Sequence, residues 1–148
     1  MNLSNSVKIM LFLLRLAMGW LFFYAGITKI LNPAWTSAGY LGAAKTFPAF
    51  YSWLASSSMI PVVDFVNEWG LTLLGVSLIL GIGVRLSSIL GAALMILYYL
   101  AALDFPYPNP HSYIVDEHII YALVLLFFAG VRAGRFIGLD PRISNKIG

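Results

Sequence analysis

Four long apolar runs, at about residues 8–31, 65–83, 86–103 and 114–133, decide most of what this chain can become. Each is close to the ~20 residues a helix needs to cross the hydrocarbon of a bilayer. Backbone groups in lipid must be satisfied within their own segment, so runs of this length read as helices. Composition agrees, since the AVILMFWYC residues supply 60% of the chain and charged residues only 10%. A soluble domain carries about 25% charged residues, and a chain of 148 residues has too little interior to hide this much apolar surface. The expected fold is an all-α integral membrane protein. It is a four-transmembrane-helix bundle in one domain, residues 1–148, with the lipid bilayer as its first partner.

The run from 65 to 103 is too long for one helix and is cut at Gly81-Ile82-Gly83-Val84-Arg85, where two glycines and a charge mark a tight turn. The first run exceeds the apolar core of a signal peptide and ends in Lys29-Ile30-Leu31-Asn32-Pro33, so it reads as a retained span. The connection that follows is rich in Trp35, Tyr40, Phe47, Phe50, Tyr51 and Trp53. Such side chains favour the headgroup level of a bilayer. An outer amphipathic or re-entrant segment is expected there, broken at Pro48 and Pro61. If the runs alternate, Lys8, Arg85, Arg132, Arg135, Arg142 and Lys146 share one side, while the other holds Lys29 and Lys45 among five acids. The positive-inside rule then predicts a multi-pass protein of the cell membrane with both termini cytoplasmic.

Several chemistries are excluded. Without cysteine the chain forms no disulfide, iron–sulfur cluster or thiol relay. It has no Gly-x-Gly-x-x-Gly after a strand and no soluble domain to hold a flavin. A single membrane-helix histidine cannot supply haem with axial ligands from two facing helices. The net charge of +3 is not gathered into a basic stripe, so nucleic acid is not a partner.

Helical spacing shows which groups face inward. Arg15, Gly19, Phe22, Gly26 and Lys29 form one stripe of the first span. Glu68 shares its stripe with Thr72 and Gly75, Tyr99 with Ser88, Gly91 and Met95, and His118 with Ala122, Leu125 and Ala129. Membrane helices pack through small residues, so stripes that carry both small and ionisable residues point into the bundle. Lys29, Glu68 and His118 also share a depth, on the outer side. Ionisable groups within a membrane are expensive and mark candidate sites. Glu68 and His118 are the expected proton-carrying catalytic pair. Lys29, Arg15, Glu117, Tyr121 and Tyr99 are the expected contacts for substrate or quinone. Helix-end anchoring is the plainer reading for Lys29 and Asp104, and snorkelling to phosphates the plainer one for Arg15. His118 with Glu68 and Glu117 is a weak metal set, and no metal site is assigned.

Three stretches carry a family resemblance. Residues 14–22 (LRLAMGWLF) with 25–29 (AGITK) resemble the opening helix of the DoxX family. Glu68, Gly70, Leu74-Gly75 and Gly81-x-x-x-Arg85 are similar to its second helix and inner turn. Asp116-Glu117-His118 and residues 133–140 (AGRFIGLD) resemble the closing helix of its DoxD branch. That branch provides the small membrane subunit of thiosulfate:quinone oxidoreductase. The resemblance covers nearly the whole chain and implies a membrane subunit in quinone-linked electron transfer. It also implies thiosulfate as electron donor and a second subunit or soluble redox partner. Quinone is equally the redox partner that the residues leave open, because it dissolves in the bilayer and needs only hydrogen bonds. A small-solute or proton transporter, built as a homo-oligomer, and a scaffold subunit are the rival readings.

Overall fold

In the computed structural model, residues 4–136, 138 and 139 are described. Arg142 and Lys146 of the charge asymmetry, and Ile137 and Asp140 of the closing motif, lie outside them. The described chain forms α1 (Asn5–Ile30), α2 (Ala38–Gly42), α3 (Pro48–Leu54), α4 (Ile60–Leu80), α5 (Val84–Ala102) and α6 (Glu117–Val131), then a 3-10 turn at Ala133–Arg135. Three of these helices, α1, α4 and α5, are long and apolar enough to cross a membrane.

The fourth apolar run makes a shorter helix than its length suggests. With 15 residues, α6 spans about 22 Å, less than the ~30 Å hydrocarbon layer. Both boundaries have local causes. Asp116 caps the start, its Oδ1 accepting from the backbone N–H groups of His118 at 3.0 Å and Ile119 at 3.3 Å. Arg132 adopts a left-handed conformation (φ 51°) and ends the helix. The run expected over 114–133 is therefore helical only from Glu117 to Val131.

The second span starts earlier than expected, at Ile60 rather than 65. Pro61 stands in its first turn, where the missing N–H has no helical partner to lose. Pro48 opens α3 in the same way. Both prolines start helices and do not break the connection. Asp64 is no barrier either, because its Oδ1 accepts from the Ser37 backbone N–H at 2.8 Å and hydroxyl at 2.6 Å. The α4–α5 turn forms where expected, with Gly81 and Gly83 at φ 68° and 62°.

The helices associate as two closely packed pairs, α1 with α4 and α5 with α6. The first seam consists of the small residues marked by the stripes. A Cβ on Gly26 would lie 2.3 Å from Thr72 Oγ1, and one on Gly75 would lie 2.3 Å from the Phe23 nitrogen. Glycine lets these backbones touch, which matters where lipid removes the usual hydrophobic drive. Phe22, Leu71, Leu78, Met95, Leu125 and Phe128 fill the core between the pairs.

The 32–59 connection carries α2 and α3 and folds over one end of the bundle, called here the lid end. A second apolar cluster of Leu41, Ala44, Tyr51 and Ala101 seats it on α5. The Tyr51 hydroxyl donates to the Leu97 carbonyl at 2.7 Å, and Tyr40 to that of Tyr98 at 2.7 Å. Lys45 and Asp104 form an exposed ion pair.

Candidate functional site

Under that connection lies a cavity of about 320 Å³. It is enclosed by the end of α1, the start of α4, the end of α5, the start of α6, and the α2–α3 segment. Its wall is mostly apolar, with Leu41, Leu54, Val63, Leu94 and Leu97 contributing. The polar side chains that reach it include Lys29, Asn67, Tyr98 and His118, and Trp35 closes one side. Small-molecule sites have this character, at roughly 300–1,000 Å³ with a few placed polar groups on an apolar surface.

Each polar group is held by local structure. Lys29, in the last turn of α1, donates from Nζ to the Ala25 carbonyl at 2.9 Å, and its ammonium lies 5.3 Å from the Trp35 ring centre. Asn67 Nδ2 donates to the Val63 carbonyl at 2.8 Å, and its Oδ1 accepts from the Tyr98 hydroxyl. His118 stands edge-on to the Tyr98 ring, with centroids 5.8 Å apart. Its Nδ1 lies 2.7 Å from Oδ2 of Asp116, and Asp116 is buried. With a carboxylate as partner, Nδ1 carries the hydrogen, and Nε2 is the ring nitrogen left over. One residue thus caps α6 and fixes its histidine. Tyr40, beside this group, has its phenol pushed up to about 12, first by burial and then by the charges of Asp116, Tyr51 and Glu117. Burial raises Tyr51 as well. Both phenols keep their protons at neutral pH and hold the connection down as donors.

Of the residues singled out from the sequence, Lys29 and His118 line this one cavity. Glu68 does not. Its stripe, with Thr72 and Gly75, faces α1, and the neighbouring Asn67 lines the cavity instead. Among the described residues the Glu68 carboxylate makes no hydrogen bond or ion pair. Tyr99 is turned to the α5–α6 loop, where its hydroxyl donates to the Ile114 carbonyl. Tyr121 packs edge-on against Phe22, with centroids at 6.0 Å. Glu117 is exposed. Its carboxylate, with Asp116 and His118, offers ligand atoms within 4.8 Å of one another. Asp116 is already committed to the helix cap and to Nδ1, which makes it a poor metal ligand.

Asn67, Tyr98, Asp116 and Trp35 were not among the expected site residues, and three of them had a signal. Asp116 directly precedes an apolar helical run, the position of an N-cap. Asn67 begins the series 67, 71, 74, 78, all buried, and Tyr98 lies three residues past buried Met95. Both series carry the helical period. Trp35 is placed by a loop and has no such signal.

Arg15 lies at the opposite end of the bundle, near the Gly81 turn. It does not snorkel outward, being only 1% exposed. Its Nη1 donates to the carbonyls of Ala133 at 2.9 Å and Phe136 at 3.1 Å, tying α1 to the segment after α6. A Cβ on Gly81 would come within 2.9 Å of that nitrogen, so the glycine turn makes room for the guanidinium.

The two glycines of the α1 seam, Arg15, Lys29, Glu68 and the Gly81 turn all fall in one matched stretch. Residues 10–104 fit the model of the DoxX family, well over half of the chain. No curated protein and no solved structure matches it. With the match running from α1 through the end of α5, this multi-pass membrane protein belongs to the DoxX family.

Proposed function

We propose that the chain is the membrane subunit of a quinone-linked oxidoreductase and that the lid-end cavity takes the quinone head. The observation that carries this reading is the donor set in an apolar cavity between membrane helices. Lys29 Nζ and the Asp116-oriented His118 converge there. A quinone takes up two electrons and two protons on reduction. His118 Nε2, when protonated, donates to a carbonyl oxygen, and the neutral ring can be recharged from water at the lid end. Lys29 adds a second donor and a positive charge where negative charge develops. The wall of Leu, Val and Trp is apolar and suits an aromatic ring.

Electrons enter from outside this chain, through a second subunit or a soluble redox partner. The likeness of residues 116–118 and 133–140 to the DoxD branch makes thiosulfate the first donor to test. The Lys and Arg distribution supports a four-span placement in the cell membrane with both termini cytoplasmic, the cavity then opening outside. In the protein purified in mild detergent, stoichiometric quinone is expected, with strong depletion in Lys29→Met and His118→Ala. Quinone no more abundant than in bulk membrane extract would contradict the reading. Solute flux in proteoliposomes without quinone turnover would establish transport instead. Loss of partner subunits from the variants, with the surviving complex at full rate, would establish a scaffold.

A further inference from the structure

A second apolar recess of about 620 Å³ runs between α4 and α5 on the surface of the bundle, and Leu94 and Leu97 line both it and the lid-end cavity. Its sides are Val66, Gly70, Leu73, Leu86 and Leu90, in the midst of two membrane-length helices. From Leu97 to Gly83 the recess extends about 21 Å along α5. Its two serines make no demand on a ligand, because the Ser77 and Ser87 hydroxyls lie 2.6 Å apart and Ser77 donates to the Ile82 carbonyl at 2.6 Å. The α4–α5 contact is also much slighter than those of α1 with α4 and α5 with α6. Gly70 borders open space in the recess, since a Cβ there would meet only Val66, at 3.9 Å.

We infer that this groove receives the isoprenoid tail of a quinone whose head occupies the lid-end cavity, an inference that rests on the quinone reading above. Head site and groove share Leu94 and Leu97 and so lie side by side. A groove of this length along two membrane-length helices fits a linear hydrocarbon chain attached to a compact ring. It also lets the ligand enter sideways from lipid, with its tail never leaving the hydrocarbon. Lipid is as apolar as the groove, so burial alone supplies little affinity. Selectivity comes from tethering the tail to a head held by Lys29 and His118.

The test uses the full chain in nanodiscs with two photoreactive benzoquinones. One carries its diazirine on the ring and the other on the third isoprene unit. The ring probe is expected to label residues of the lid-end cavity, and the tail probe residues 66–74 and 86–97. Gly70→Phe puts a ring into the groove from a position where the Cβ itself meets only Val66. It should weaken the tailed quinone about tenfold while changing a tail-less quinone less than twofold. Ring label in the cavity with tail label spread over other lipid-facing surfaces, as for a groove that holds any acyl chain, overturns the inference and leaves the head site standing. Cross-links placing a helix of a second copy in the groove overturn it likewise. Ring label outside the cavity removes the quinone reading itself.

Discussion

Arg15 and Lys29 stand on the same face of α1, roughly four turns apart, and they live in opposite circumstances. Arg15 is sealed, its guanidinium used on the carbonyls of Ala133 and Phe136. Lys29 is half-buried at the rim of a cavity, and its ammonium spends one hydrogen bond on Ala25. What covers each cation makes the difference. The segment after α6 folds onto Arg15 and closes one end, whereas α2 and α3 arch over Lys29 and leave space beneath. An inward-facing charge in a membrane bundle is therefore a site only where its donors stay free for a ligand. At the other end the same kind of charge is a structural rivet.

The sharpest separation of the two ends lies in turnover. His118→Ala should lower quinone-dependent turnover of the assembled complex by about 10²–10⁴-fold, the usual cost of removing a general acid or base. Its unfolding midpoint in a detergent–SDS titration should stay close to that of the parent. Arg15→Met should do the reverse. Two charge-assisted hydrogen bonds are lost, at a cost of about 3 kcal/mol in the same titration. Quinone affinity of the folded fraction should be unchanged. If Arg15→Met keeps full stability, the contrast between a rivet and a site fails.

The seam that carries both cations gives a smaller effect. Gly75→Ala forces a methyl group against the Phe23 backbone. It should destabilise α1–α4 packing by about 1–3 kcal/mol, read from the same unfolding curve. Gly70→Ala, one turn away and facing open space, should be neutral or slightly stabilising.

The smallest effect concerns the lid. Tyr40→Phe removes a hydrogen bond to the Tyr98 carbonyl and should cost about 1 kcal/mol or less. Its phenol titrates near 12 in the fold, against an ordinary value of 10. The contribution is thus fully present below pH 10 and is lost as pH rises through about 12. Alkaline titration followed by tyrosinate absorbance should show a late phase, and Tyr40→Phe should lower its amplitude by one phenol.

The seam and the α4–α5 turn were legible from spacing alone, because period and small residues together determine which faces meet in lipid. Phase within a helix was harder to read. The stripe of Glu68, Thr72 and Gly75 does face inward, but towards α1 and not towards the shared space. Asn67, about 100° away, reaches the cavity. A stripe tells that a residue faces a neighbour, and only the arrangement of four helices tells which one. The ends of α6 were hidden by hydropathy, since apolar residues continue past both Asp116 and Arg132. There the hydrogen bonding of one carboxylate and the left-handed conformation of one arginine decide the helix length. Trp35 and the covering helices α2 and α3 depend on long-range packing against α5, which a single sequence does not display.

If the lid-end cavity, and not the lipid surface at large, holds the quinone head, Trp35 should report its arrival. Trp35 lines that cavity, and a variant with Trp20, Trp53 and Trp69 replaced by phenylalanine leaves it as the sole indole. Titrating this protein in nanodiscs with a short-tailed quinone should quench Trp35 along a saturable curve. Adding His118→Ala should shift the midpoint about tenfold, the loss of one charge-assisted hydrogen bond. Quenching that rises linearly without saturation, and is the same with and without His118, would show a quinone that merely dissolves in the surrounding lipid and would contradict the account.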